Sequence, residues 1–179
     1  PRLNQSGCTL IVLAEWKAPV YQNAITLITS SIRRNGPANI DSKIHHNNLI
    51  NNILAKIEAN NAGADDALML DNNGFVAETN ACNIFMIKNG MLFTPNADAC
   101  LPGITRKTVI TLCQQNNIPI HLKNISLAEM YNADQVFTTG TMGELTAVKM
   151  IDGRAIINRS GTDLLQHIND LFRNLTLAL

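Results

Sequence analysis

An excess of either charge is missing from this chain of 179 residues: 14 Lys and Arg face 14 Asp and Glu, and charged residues make up 16% of the whole. No basic run is long enough to form a nucleic-acid face, so a small-molecule site is the better expectation. Long apolar runs are missing as well. The longest, such as Thr9 to Ala14, fall far short of the roughly 20 residues that span a bilayer, and the opening PRLNQSGCTL lacks the apolar stretch of a signal peptide. The expected location is the cytoplasm. Cysteine is sparse and unpatterned: Cys8, Cys82, Cys100 and Cys113 form no Cys-x-x-Cys pair, and reduced thiols are expected. Cys82, between two strand-like runs, reads as a small buried hydrophobe rather than a nucleophile. His45 and His46 have no third ligand at metal spacing, and neighbours on a helix point about 100° apart, so no metal is expected.

What is present is apolar sequence cut into short periodic pieces. With 46% hydrophobic residues the chain can bury a respectable core. Strand-like runs stand at Thr9–Ala14 and Ala24–Ser31, joined by a loop holding Trp16 and Pro19. After the Arg33–Asp41 loop, Leu49, Ile50, Ile53, Leu54 and Ile57 recur at helical spacing, which predicts a long amphipathic helix from Ser42 to about Ala62, stopped by Gly63. Short strands follow at Ala67–Leu70, Phe75–Val76, Asn83–Ile87 and Met91–Phe93, with Asn-Gly at 73–74 and 89–90 suited to hairpin turns. The rest reads as a helix from Ile104 to Asn117, a strand at Pro119–Leu122, a short helix at Leu127–Tyr131, strands at Gln135–Thr138, Leu145–Met150 and Ala155–Ile157, and a last helix from Thr162 to Leu175. Strands and helices without regular alternation argue a mixed α/β or α+β domain built on a bent sheet.

Three features of this frame carry chemistry. Glu78 sits between two runs that read as buried strands, where an ionised carboxylate without a positive partner would cost several kcal/mol. It therefore faces either a basic side chain, such as Arg106, or a cationic ligand. In LPGITR, Gly103 opens a helix whose first turn, Ile104-Thr105-Arg106-Lys107, offers backbone N–H groups and a hydroxyl to an anion; in TTGTMGE, Gly140, Thr141 and Gly143 follow a strand and can do the same. Lys43 follows Asp41-Ser42 at the expected helix start, where positive charge is poorly favoured and a neutral amine can attack a carbonyl. Each feature also has a plain structural reading: an ion pair, turn glycines, a surface lysine.

Together SKIHHNNLINNILAKIEANNAGADDALMLDNNGFVAETNACNIF, LPGITR and TTGTMGELTAV resemble, in order and spacing, the C-terminal half of the class IV pyridoxal-phosphate aminotransferases, nearest to the branched-chain enzymes. The resemblance implies the large domain of the D-amino-acid aminotransferase-like fold, a bent mixed sheet partly closed into a barrel with flanking helices, over residues 1–179. It implies that Lys43 holds pyridoxal 5'-phosphate as an aldimine and moves the proton at the substrate Cα, and that Glu78 faces the ring nitrogen. The phosphate would rest on Gly103, Ile104 and Thr105 with Gly140 and Thr141, and Thr141, Met142 and Gly143 would take the substrate carboxylate. The implied reaction is transamination of branched-chain L-amino acids with 2-oxoglutarate, in a homodimer, within branched-chain amino acid biosynthesis. Rivals on the same fold are D-amino-acid transaminase and aminodeoxychorismate lyase; outside it stands a non-catalytic remnant that binds a phosphorylated ligand. Two departures are visible. Asn48 stands where the branched-chain enzymes carry a tyrosine against the cofactor's ring oxygen, and the small N-terminal domain that adds an arginine to the phosphate is not in this chain.

Overall fold

The computed structural model describes residues 7–17, 20, 21 and 23–178, so Pro19 of the expected loop lies outside it. Nine strands and four helices follow in the order β1 (Ile25–Thr29), α1 (Ile50–Asn61), β2 (Asp66–Leu70), β3 (Val76–Thr79), β4 (Asn83–Lys88), β5 (Met91–Thr94), α2 (Ile104–Gln115), β6 (Ile120–Leu122), α3 (Leu127–Tyr131), β7 (Gln135–Gly140), β8 (Glu144–Ile151), β9 (Arg154–Ala155) and α4 (Leu164–Leu177). The short-range signals place most of these. Asn89 (φ 51°) and Gly90 (φ 73°) both take the left-handed backbone that a tight hairpin demands, and they join β4 to β5. Ser126 accepts from the Glu129 backbone while the Glu129 carboxylate accepts from Ser126, a capping box that starts α3 at the expected residue.

One mixed sheet runs β3-β2-β1-β8-β7-β4-β5-β6, with β9 paired to β8. β3 is the first strand of this order and β4 the sixth, yet only Asn80, Ala81 and Cys82 connect them, and the Thr79 amide donates to the Cys82 carbonyl at 2.8 Å. The sheet must therefore curl until its edge strand meets β4, which gives the partly closed barrel. The two-residue period of β4 divides its side chains between separate cores. Ile84 and Met86 join Leu27, Leu68, Val136 and Met130, whereas Phe85 and Ile87 pack with Phe137 and with Val109 of α2 and Phe172 of α4. A third, smaller cluster sets Ala55 and Ala59 of α1 against Ala67 and Met69 of β2.

Two expectations fail here. Thr9–Ala14 forms no strand, and Leu10 to Leu13 stand 73–85% exposed; among the described residues no strand pairs with this segment. The long helix starts at Ile50, not Ser42. The Asp41 side chain accepts from the Lys43 amide at 3.0 Å and the Asp41 carbonyl from the Ile44 amide at 3.0 Å, while buried Ser42 donates to the Asn35 carbonyl at 2.7 Å; this turn competes with helix through the same backbone groups. Among the described residues no helix is long and apolar enough to cross a membrane.

Candidate active site

Glu78 lies within β3, opposite Met69, with its side chain only 7% exposed. Its carboxylate is held on every side. Arg34 Nη2 stands 2.8 Å from Oε1, the Leu101 amide donates to Oε1 at 3.3 Å, and Asn83 Nδ2 donates to Oε2 at 3.0 Å. The positive partner is thus Arg34, itself buried, and not Arg106, which is turned toward the Pro95 carbonyl (2.8 Å) and the Thr94 hydroxyl (3.4 Å). Arg106 acts on Glu78 only through its field. Burial nevertheless outweighs both guanidinium groups and the hydrogen bonds, and pushes the Glu78 carboxyl up to about 7.

A cavity of about 240 Å³ opens beside this pair, walled by Arg34, Ser42, His45, His46, Asn52 and Glu78 among others. Two of its wall residues carry buried polar atoms without a hydrogen-bond partner, Arg34 Nε and His46 Nδ1. Across Asn80 and Ala81, which wall both, lies a second cavity of about 420 Å³ lined by Cys82, Gly140, Thr141, Met142, Gly143 and Lys56. Its lysine is engaged: Lys56 Nζ stands 3.0 Å from Asp66 Oδ1 and donates to the Asp65 carbonyl. Burial pushes the Cys82 thiol up to about 11, the reverse of what an activated nucleophile needs.

The two glycine-bearing loops converge on one dipeptide. A Cβ on Gly103 would run into Asn83 Oδ1, and one on Gly140 would meet Cys82 Sγ at 2.9 Å, so both glycines permit close approach to residues 82–83. Gly103 is the N-cap of α2 and no side chain caps that first turn; Thr105 behind it is buried, whereas Ile104 is 78% exposed. Thr105 is not among the residues that wall either cavity. Lys43 does not line the cavity beside Glu78. Its side chain is 42% exposed, its Nζ lies 3.5 Å from Asp41 Oδ2, and it forms no wall of either cavity. Asn48 is exposed ahead of α1. Sequence reasoning missed Arg34 and Asn83; the only local signal was the adjacent pair Arg33-Arg34 ahead of a turn.

The family described as amino-transferase class IV matches residues 3–151. A branched-chain-amino-acid aminotransferase-like protein 2 of Arabidopsis thaliana is 57% identical over 178 residues, 98% of this chain and 32% of its own length. The solved branched-chain aminotransferase of Thermoproteus uzoniensis with norvaline aligns at a TM-score of 0.82 and 34% identity, covering 87% of this chain and 52% of that one. The branched-chain amino acid aminotransferase of Thermobaculum terrenum, solved in its PLP-form, aligns at a TM-score of 0.81 and 29% identity, covering 85% of this chain and 50% of that one. This chain therefore spans between about a third and a half of the length of the proteins it matches. With the curled sheet, the buried glutamate and both glycine-bearing loops inside the matched span, the chain belongs to the class IV aminotransferase family.

Proposed function

We propose that this chain is the cofactor-binding part of a pyridoxal-phosphate aminotransferase that moves the amino group of branched-chain L-amino acids to 2-oxoglutarate. The observation that carries the reading is Glu78, a carboxylate fixed on a cavity wall at the centre of a family-matched span. When bound, pyridoxal phosphate supplies a carbonyl that takes up the amino group and a ring that accepts electrons from Cα. Glu78 would hold a proton at the ring nitrogen, with Arg34, Asn83 and the Leu101 amide keeping its carboxylate in place. The first turn of α2, at Gly103, Ile104 and Thr105, and the Gly140-Thr141 segment would hold the phosphate through backbone N–H and hydroxyl groups, and the Thr141–Gly143 backbone the substrate carboxylate.

The residues fit that cofactor in the acid; of the loop residues, Gly140 and Thr141 wall the neighbouring cavity, while Gly103, Ile104 and Thr105 wall neither. The residues do not fit it in the amine, because among the described residues no lysine walls the cavity beside Glu78. We further propose that the working enzyme is a cytoplasmic homodimer; the apolar face of α1, where Ile50, Ile53 and Ile57 are 46–55% exposed, supports a covering partner. The test is a screen of amino donors on the full-length gene product with 2-oxoglutarate as acceptor. Leucine, isoleucine and valine should be the preferred donors. Turnover of D-alanine alone, or no turnover with any donor, would overturn the reading.

A further inference from the structure

We infer that Arg106 is a positioning residue for the cofactor's phosphate, holding the first turn of α2 in place and backing it with a buried positive charge. The inference rests on the cofactor reading above, which seats the phosphate on that turn and on Gly140-Thr141. A cation is poorly placed here by ordinary rules. Arg106 is the third residue of α2, where the helix already carries partial positive charge; Lys107 follows it, and the first turn holds no acidic residue. Arg106 is nevertheless only 6% exposed, and among the described residues no carboxylate forms an ion pair with it. Its guanidinium grips the end of β5 instead. Nη2 donates to the Pro95 carbonyl at 2.8 Å and Nε to the Thr94 hydroxyl at 3.4 Å, and that hydroxyl donates to the Ile84 carbonyl of β4 at 2.9 Å. Glu78, already paired with Arg34, feels Arg106 only through its field, so a buried cation at the positive end of a helix is left for an incoming anion to complete.

A second unsatisfied group faces the same turn. No side chain caps α2, and the Lys107 amide is the first to find its helical acceptor, the Gly103 carbonyl at 2.9 Å, so the amides of Ile104, Thr105 and Arg106 have no acceptor within the helix. Gly103 is pressed against Asn83, whose Oδ1 a Cβ would strike. Asn83 pairs with Thr139 across β4 and β7, so both side chains leave the sheet on one face, the face on which Phe137 packs with Val109 of α2. The Thr139 hydroxyl, on a residue 3% exposed, has no hydrogen-bond partner, and an orphaned buried group of this kind is completed by a ligand or water. The turn itself walls neither cavity; it stands behind Asn83, whose neighbour Cys82 walls the larger one together with Gly140 and Thr141.

The experiment titrates pyridoxamine 5'-phosphate and pyridoxamine, which differ only in the phosphate, into the full-length gene product freed of cofactor. Wild type should bind the phosphorylated form far more tightly. In Arg106→Met, with melting curves on the same samples to confirm folding, pyridoxamine 5'-phosphate should bind about tenfold more weakly while pyridoxamine binds as it does to wild type, the pattern of one lost interaction with a charged group. Arg106→Lys keeps the charge but lacks the planar fork that serves Pro95 and Thr94 together, so it should lose a smaller part of the same preference; it carries the test if the Met variant does not fold. Equal weakening of both ligands in a folded variant, the mark of a merely structural role, or wild-type affinity for both, overturns this inference while leaving the cofactor reading intact. Wild type that binds the two ligands alike, or neither, overturns both.

Discussion

Glu78 concentrates two opposing demands, since the cavity needs a carboxylate where burial disfavours its charge. Its carboxyl titrates near 7 in the fold against 4.5 in the free side chain, so between these values the folded state holds a proton that the unfolded state has lost. This group therefore favours folding most at low pH, and its contribution is lost as pH rises through about 7. Thermal unfolding of wild type and Glu78→Gln from about pH 5 to 8 should show wild type losing stability relative to the variant as pH rises; parallel curves would show that the carboxyl is not so displaced. In the full-length enzyme the same variant should turn over much more slowly, by about 3–4 kcal/mol in the barrier, because an amide cannot hold the ring proton by charge. Arg34→Met should behave in the opposite sense. It strands Glu78 without its cation and should destabilise by about 3–5 kcal/mol near pH 8, and by clearly less near pH 5 where the carboxyl is neutral. Equal losses at both pH values would remove Arg34 from the pair. At this scale the sequence showed that Glu78 needed a positive partner. It could not choose between Arg34, Arg106 and a ligand, because only the curled sheet sets the loop before α1 against β3.

At the scale of elements, the features legible in advance are those whose signals span a few residues: the Asn89-Gly90 hairpin, the short α3 at Leu127–Tyr131, the glycine ahead of α2. The start of α1 was not legible, because the competing turn at Asp41 depends on Ser42 reaching the distant Asn35 carbonyl. The Gly103 contact lets an element-scale claim be checked. Gly103→Ala would push Asn83 off both Glu78 and the Leu101 carbonyl, and should cost about 1–3 kcal/mol. In an Asn83→Ala background the same change should cost little, since the obstructing amide is gone. A double-mutant cycle in urea measures this, and additive losses would mean that the α2 start and the Glu78 network are independent.

At the scale of the molecule, the helix that the hydrophobic pattern singled out buries only Ala55 and Ala59, leaving Leu49, Ile50, Ile53, Leu54 and Ile57 at 42–55% exposure. A contiguous apolar face of that kind is normally covered. The 179-residue chain should therefore self-associate in sedimentation experiments, and Ile53→Glu with Ile57→Glu should shift it toward monomer; a wild-type chain that stays monomeric at high concentration would count against the homodimer. The division between sequence and fold follows from the range of the forces. Helical period, strand alternation and turn chemistry act within a few residues, so the sequence by itself determined nearly every element from β1 onward, and the order of its motifs determined the family. Which groups meet is decided by the closing of the sheet, which joins β3 to β4 across five intervening pairings and sets Arg34, Ser42, His45 and His46 on the same cavity wall as Glu78. That closure, and not any local pattern, gives the glutamate to Arg34, turns two histidines toward the cavity, and leaves Lys43 in solvent.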